Sequence, residues 1–403
     1  MIKPLEGVRV IDLSTYLAAP SVGRLMAEWG AEVIKVETMK GDPYRHIGPT
    51  MGMPITEKAN PNFDEQNAFK NFVALNLRTA EGMEVLHKLL STADVFLTNT
   101  RAKALEAMGL TWEKIHEKYP RLIFAQVFGY GEFGPMKDTP GFDFTAFWAR
   151  SGLLVDLAPA GGTPINPVPG IGDHCVSLAL TAAIASCLYR RNQTGEGDKV
   201  DASLLQLATW VNKSSTNSCF YGRKLSRNHY QVNQANNTFY KCSDGEWIYM
   251  SANDYKKLFK TVVVDVLDHP ELLEDPRFNT FEEYLKHTAE LVAIYEDIFA
   301  TRTRDEWAER MTKADIAHEL CLHVGDTITD PQVTENYYIV IHEYEDGTKS
   351  AVTPAPVHIG SIDYKQFKFQ IGKALGADND KYLAELGYTP EQIKSMRENG
   401  QIV

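Results

Sequence analysis

One aspartate in this chain stands where a carboxylate could act as a nucleophile. In Pro167-Val168-Pro169-Gly170-Ile171-Gly172-Asp173-His174-Cys175, two prolines and two glycines stiffen and then turn the backbone just before an apolar run, 176–188. That run reads as a helix buried on most sides. Asp173 falls where a helix N-cap belongs, and Arg190-Arg191 with Gly195 marks the far end. A carboxylate there faces unpaired N–H groups and the positive end of the helix dipole, which favour its ionised form. Held on a rigid element, it is a candidate nucleophile at neutral pH. Ordinary capping uses aspartate in the same place, so the residues alone leave both roles open. His174 and Cys175 suggest a base and a thiol nucleophile, but nothing supplies an orienting partner, and packing roles are expected of both. Phe147 and Trp148 suit either an acyl pocket or the core, and the core is the commoner use of such aromatics.

The elements that must position Asp173 follow an α/β rhythm. Runs at 8–13 and 32–37 read as strands, with a helix at about 21–29 between them and a stop at Gly30. A strand–helix–strand unit of this kind implies a parallel sheet with a right-handed crossover. The stretch 41–67 has prolines, glycines and no period, and reads as a long loop of the kind that often carries function. Strands at 73–77, 94–99 and 122–127 then alternate with helical runs at 80–93 and through Lys118. The fold class is therefore α/β: a doubly wound, Rossmann-like large domain with a smaller α+β domain. Ligands of such sheets gather at the carboxyl ends of strands, here near Ala18, Thr38, Arg78, Asn99 to Arg101 and Gly129. The first strand–helix turn holds no GxGxxG or Walker sequence, which argues against dehydrogenase and kinase readings. A first part of the large domain is expected over 1–213, a linker over 214–237 and the small domain over 238–330. The remainder, 331–403, reads as a return linker and a C-terminal segment docking on the large domain.

Composition bounds the partners. The chain has 403 residues, 44% hydrophobic and 23% charged, the proportions of a soluble globular protein. A net charge of -12 with no basic cluster excludes a nucleic-acid surface but not an anionic ligand, which local cations can hold. No signal peptide and no membrane segment are expected, because the run after Asp173 reads as short and closed by arginines. Five scattered cysteines without CxxC spacing point to reduced thiols in a cytoplasm, with no metal site.

Sequence motifs spread over the chain resemble the family III CoA-transferases, which include formyl-CoA transferase and carnitine CoA-transferase. They begin with Pro4-Leu5-Glu6-Gly7-Val8-Arg9-Val10-Ile11-Asp12, Ala19-Pro20 and Gly30-Ala31-Glu32-Val33-Ile34-Lys35-Val36-Glu37. They continue through Val73-Ala74-Leu75-Asn76-Leu77-Arg78, Pro140-Gly141-Phe142-Asp143 and Gly172-Asp173 to Thr194-Gly195-Glu196-Gly197-Asp198-Lys199-Val200 and Glu385-Leu386-Gly387-Tyr388. Within the family, Asn99-Thr100-Arg101-Ala102-Lys103-Ala104-Leu105 and Gly129-Tyr130-Gly131-Glu132 look most like the 2-hydroxyacid (phenyllactate or 2-hydroxyisocaproate) CoA-transferases of amino-acid-fermenting anaerobes.

The resemblance implies transfer of CoA from an acyl-CoA to a 2-hydroxy acid, with coenzyme A thioester as substrate and no permanently bound cofactor. Asp173 matches the family's catalytic aspartate, which passes through a mixed anhydride and an aspartyl-CoA thioester. Leu75, Asn76, Leu77, Arg78, Asn99, Thr100, Arg101 and Met108 match positions for the nucleotide part of CoA. Leu17 and Ala18 match positions beside the pantetheine, and Phe142 and Asp143 a further CoA-contacting loop. A homodimer of interlocked rings is implied, as is a 2-hydroxyacyl-CoA dehydratase in the same pathway. Formyl-CoA transferase has glutamine where this chain has Leu17 and arginine where it has Thr38, so a larger, more apolar acyl group is expected here. Its glycine-rich loop has no counterpart near Ser251-Ala252-Asn253-Asp254. An acyl-CoA racemase, epimerase or thioesterase, or a non-catalytic CoA-binding subunit of a dehydratase system, are the alternative readings.

Overall fold

Val10 and Ile11 in one run and Val33, Ile34 and Val36 in the next are sealed from solvent, as strands covered on both faces must be. A computed structural model, which describes residues 3–225 and 228–403, joins these runs in one parallel sheet. Its strands are β1 (Arg9–Leu13), β2 (Glu32–Glu37), β3 (Asn71–Ala74), β4 (Val95–Thr98), β5 (Ile123–Phe128) and β6 (Lys199–Ser203). Their order is β3-β2-β1-β4-β5-β6, every neighbouring pair parallel, so the winding reverses between β1 and β4. The connecting helices are α1 (Ala18–Glu28), α2 (Pro61–Asn67), α3 (Ala80–Ser91), α4 (Ala102–Ala107), α5 (Trp112–Lys118), α6 (Leu153–Asp156), α7 (Ile171–Thr194) and α8 (Leu204–Val211).

The chain divides into two compact units. One comprises Met1–Leu153, Asn166–Thr216 and Pro331–Val403, and holds the six-stranded sheet. The other comprises Leu154–Ile165 and Asn217–Asp330. Its three-stranded antiparallel sheet (Asn237–Lys241, Trp247–Ser251, His318–Leu320) shares a core with helices, around Tyr240, Tyr284, Tyr295 and Trp307.

Four local expectations change. The stretch read as a loop over 41–67 ends in α2, started by the Asn60 side chain on the Phe63 N–H and by Pro61 in the first turn. β3 stops at Ala74 because Leu75 pairs instead with Ile402, and the Asn76 N–H donates to the Gln401 carbonyl. A helix, Lys213–Phe220, forms at the start of the segment read as a linker. Finally, α7 is longer than its apolar run, from Ile171 to the left-handed Gly195. By length and composition it is the one helix among the described residues that could cross a membrane. Only one face of it enters the core, so it is not buried on most sides as expected: Val176, Leu180 and Ile184 are buried and Arg191 near its end pairs with Asp94 at 2.8 Å, while Leu178 and Tyr189 are exposed.

Under the β1–α1 turn lies a set of fully buried charges. Lys70 Nζ reaches Asp12 at 2.8 Å, the Pro20 carbonyl and Asn67; Lys35 Nζ reaches Asp42 at 2.9 Å and the Ser14 carbonyl. Burial pushes Lys70 down to about 8. For Lys35 burial acts the same way, but Asp12, Asp42 and Glu37 outweigh it and hold the ammonium above its ordinary value. Removing one partner of such a pair strands the other charge in the core, at about 3–5 kcal/mol. Lys70→Met is accordingly expected to lower the unfolding free energy by about that amount in urea titration. A loss below about 1 kcal/mol would show that the network does not hold the turn.

Candidate active site

The N-terminal turn of α7 is built by a residue outside the helix. Gly170 occupies the N-cap with φ +86°, a conformation glycine adopts without strain, and contributes no side chain to cap with. Asp143 supplies the capping carboxylate. Its Oδ2 accepts the Gly170 N–H at 2.7 Å and its Oδ1 the Gly172 N–H at 2.9 Å. Asp143 opens a wide helical turn, Asp143–Ala149, whose Ala146, Phe147 and Trp148 are buried, so those two aromatics belong to the core. A Cβ at Gly172 would lie 2.3 Å from Phe147 Cγ and 2.4 Å from Asp143 Oδ1. The glycine before Asp173 therefore serves close packing of these two turns.

Asp173 is thus the third residue of α7 and not its N-cap. Its carboxylate is half-buried, and among the described residues no side chain or N–H bonds to it. The expectation that the helix end keeps it strongly ionised also needs correcting. A helix terminus contributes about 0.3–1 kcal/mol, less than one pKa unit, and here its N–H groups go to Asp143. Burial, then the neighbouring Asp143 charge, push Asp173 up to about 7. Asp143 is itself raised by burial, against the pull of its two N–H bonds. His174 is held below its ordinary value by burial and then by Arg24, so it is neutral and makes no cation for Asp173. Burial likewise raises the Cys175 thiol, which keeps it protonated.

The β1–α1 turn closes the other side. Ser177 Oγ lies 2.7 Å from the carbonyls of both Ala18 and Asp173, tying the start of α1 to α7. Leu17 sits 3.2 Å from where a Gly170 Cβ would be, and also packs on the cluster of Tyr44, Phe63 and Phe72. Tyr44, whose hydroxyl burial pushes up to about 12 with the Asp173 charge adding to it, donates to Asn62 at 3.2 Å. The site therefore includes Tyr44 and Asn62, which the sequence reading left inside a loop. Asp42 before Pro43, a short-helix start with its side chain on the Tyr44 N–H, was the signal available.

The positions expected to hold CoA fall into two groups. At the switch point between β1 and β4, Asn99 clamps Thr15 through Oδ1 to its N–H (3.0 Å) and Nδ2 to its carbonyl (2.7 Å). Thr100 follows on the same strand end, and Arg101 begins α4 fully exposed with no carboxylate within pairing distance among the described residues. Arg78 is likewise exposed, with no carboxylate within pairing distance among the described residues. These strand ends offer two free guanidinium groups suited to phosphate. Other positions are less available. Leu75 is sealed in the core, Leu77 and Met108 pack against it, Asn76 is tied to the Gly400 carbonyl, and Ala18 is buried. Asp143, expected to contact CoA, has both oxygens spent on α7 and is 6% exposed. Its neighbour Phe142 is exposed and meets Tyr16 edge-on at 6.0 Å.

A cavity of about 570 Å³ opens on the flank of α1 and α7, walled by Arg24, Glu65, His174, Leu178, Tyr338 and Pro354 among others. Its one arginine is matched by Glu28 at 3.2 Å and by the Thr353 carbonyl, so it offers no free cation to an anion. Asp173 does not line it. No group of three or more metal-ligating side chains occurs among the described residues. The first turn of α7 thus holds a carboxylate without a bonded partner near the apolar Leu17, which suits acyl transfer to oxygen, and the strand ends separately hold two exposed arginines suited to a polyphosphate.

Comparison with known proteins agrees with that chemistry. The family model for CoA-transferase family III matches residues 5–377. A (R)-2-hydroxy-4-methylpentanoate CoA-transferase of Clostridioides difficile is 36% identical over 98% of this chain and 98% of its own length. A cinnamoyl-CoA:phenyllactate CoA-transferase of Clostridium sporogenes is 36% identical over 99% of this chain and 97% of its own. The crystal structure of a CaiB/BaiF family protein from Brucella suis superposes with a TM-score of 0.81 at 25% identity, covering 96% of this chain and all of that one. With a whole-chain family match and relatives of this identity and coverage, the protein belongs to CoA-transferase family III and is an enzyme of that family.

Proposed function

We propose that this enzyme moves CoA from an acyl-CoA, of the 2-enoyl class, to a 2-hydroxy carboxylic acid of the phenyllactate or 2-hydroxyisocaproate type. The observation that carries the reading is Asp173: a carboxylate in the first turn of a buried helix, raised to about 7, with no cation to quench it. The relatives named for 2-hydroxy-4-methylpentanoate and phenyllactate support the substrate class. Leu17, apolar and facing the first turn of α7, supports a branched or aromatic acyl chain.

In this mechanism an Asp173 oxygen attacks the thioester carbonyl. The C–S bond breaks and CoA thiolate leaves, giving a mixed anhydride. The thiolate attacks the Asp173 carbonyl of that anhydride, releasing the donor acid and forming an aspartyl-CoA thioester. The incoming acid's carboxylate attacks this thioester, and the thiolate then attacks the acyl side of the second anhydride, which restores Asp173. Every step exchanges one acyl–oxygen or acyl–sulfur bond for another, and no water takes part, so the thioester's free energy is kept. A raised pKa makes the ionised Asp173 a stronger nucleophile, at the cost of a smaller ionised fraction at low pH. Arg78 and Arg101 would hold CoA phosphates. A cytoplasmic setting is proposed, which the scattered cysteines without CxxC spacing support, and a 2-hydroxyacyl-CoA dehydratase is the class of enzyme that would consume the product. The outward face of α7 and α8, with Leu178, Tyr189 and Trp210 exposed at 42%, 69% and 65%, is a surface a second chain would cover. A homodimer of interlocked rings is the assembly proposed, and light scattering should return twice the 45.2 kDa chain mass.

Asp173→Asn and Asp173→Ala should lower the turnover of labelled acid into acyl-CoA by at least about a thousandfold. Hydroxylamine added with an acyl-CoA should mark Asp173 in the wild type alone, and near-normal turnover by either variant would rule the mechanism out. The acidic limb of kcat/KM should have its midpoint near 7, the rate falling with decreasing pH as Asp173 takes up a proton. An acidic limb near 4, the ordinary carboxylate range, would contradict the environment described. Arg101→Ala should raise KM for acyl-CoA about tenfold with kcat little changed, the signature of a binding contact; an equal loss in kcat would count against a phosphate role.

A further inference from the structure

We infer that Asp143 is the positioning residue of the transfer reaction: from the turn before α7 it holds the backbone N–H groups on either side of Ile171, fixing where the Asp173 carboxylate stands and keeping a negative charge behind it. The inference rests on the reading of Asp173 as nucleophile.

Three observations lead to it. Asp143 is buried, and each of its oxygens takes one N–H of α7's opening turn, at 2.7 and 2.9 Å. Such charge-assisted bonds are the stronger kind, and two of them from one carboxylate set both the direction and the depth of the turn. Next, the two turns are in contact at backbone distance. A Gly172 Cβ would fall 2.3–2.6 Å from Phe147 and Asp143, so α7 cannot shift its first turn without displacing a buried aromatic. Gly170 is enclosed on its other side by Leu17 and His174. The Asp173 side chain, one residue beyond Gly172, inherits this fixed frame while making no bond of its own.

Third, the two carboxylates divide the helix end unequally. Asp143 takes the donors that stabilise a charge at a helix N-terminus, and Asp173, deprived of them, is left basic and free. The other groups around Asp173 do not compensate. Tyr44, on which the Asp173 charge acts, comes from the segment after β2, and His174 and Cys175 follow Asp173 on α7 itself. Arg24 of α1, the nearby cation, is paired with Glu28. Asp143 is the charge that acts on Asp173.

Asp143→Asn removes the charge and one of the two acceptors while nearly conserving shape. The expected result at pH 8 is a kcat at least about tenfold lower, with KM for acyl-CoA within about threefold, since positioning and not binding is lost. The acidic limb of kcat/KM should move down by about one pH unit, the effect of deleting a neighbouring like charge under near-surface screening. A variant that is merely less stable would lose activity with the limb unmoved, and that outcome overturns the inference, as does unchanged kcat. An NMR titration of the Asp173 carboxyl carbon, assigned by its absence in Asp173→Asn, reads the same shift without any turnover. If transfer itself is absent from the wild type, the reading of function fails while this titration still decides the coupling. Should Asp143→Asn not fold, the wild type still decides it. The Gly170 and Gly172 amide protons should stay downfield between pH 8 and 5 while Asp173 titrates; their moving upfield with a midpoint near 7 would show that Asp143 gives up its charge there and would overturn the inference.

Discussion

Two lysines sealed from water, Lys35 and Lys70, underlie the geometry of the whole site. Each ends on a carboxylate and on a backbone carbonyl: Lys70 on Asp12 and on Pro20 in the first turn of α1, Lys35 on Asp42 and on Ser14 in the β1–α1 turn. Desolvating four charges is expensive, and a well-packed apolar set would do as well for stability alone. What the ionic arrangement adds is direction. It fixes a turn in which Tyr16 adopts a left-handed φ of +65° and Leu17 is aimed at the first turn of α7. The Asp42 carboxylate, held by Lys35, accepts the N–H groups of both Tyr16 and Tyr44, so one buried pair sets two loops at once. From there Ser177 ties α1 to α7, and Asp173 follows.

The raised pKa of Asp173 comes first from burial and then from the Asp143 charge, with no donor at the helix end bonded to it to offset them. A carboxylate at a helix N-terminus is usually pulled toward its ionised form by free N–H groups. In this fold Asp143 takes two of those groups, the Gly170 and Gly172 N–H, and Asp173 stands one residue further on, in an environment that opposes its charge. Such a pair of carboxylates in unequal settings is a familiar way for one site to hold a stable anion and a reactive one together. The apolar wall at Leu17 strengthens the effect, because every nonpolar neighbour raises the cost of the free carboxylate.

Much of this was legible from residue types. Alternating apolar runs and short connections specified the doubly wound sheet, and Asp173 was singled out from the turn before its helix. The role of Asp143 was not legible, because capping by a residue 27 positions away from Gly170 leaves no local spacing to detect. Read locally, Asp173 takes the part of cap that Asp143 fills in three dimensions. The early end of β3 was hidden for the same reason: its partner, Ile402, lies at the far end of the chain. Tyr44 and Asn62 sat in a stretch without periodicity, and only the fold brings Tyr44 within reach of the Asp173 charge. Arg78 and Arg101, by contrast, followed directly from where parallel strands end.

The unit that carries the site is assembled from three separate pieces of chain, the last of them Pro331–Val403. That last piece is no ornament. It closes the edge strand through Leu75 and Ile402, lends Asp378 to the Phe72 N–H and Asn379 to the Ala74 N–H, and gives the Thr353 carbonyl to Arg24. On a ribosome, β3 would emerge with its edge open and its partners Asp378 and Asn379, 306 and 305 residues further on, still to be made, while Asn217–Asp330, the bulk of the other unit, could collapse as soon as it cleared the exit. Contacts of such long sequence separation are slow to form. The unit that holds the six-stranded sheet is thus the part exposed longest to mispairing during synthesis, and the one whose closure waits on the last residues to be made.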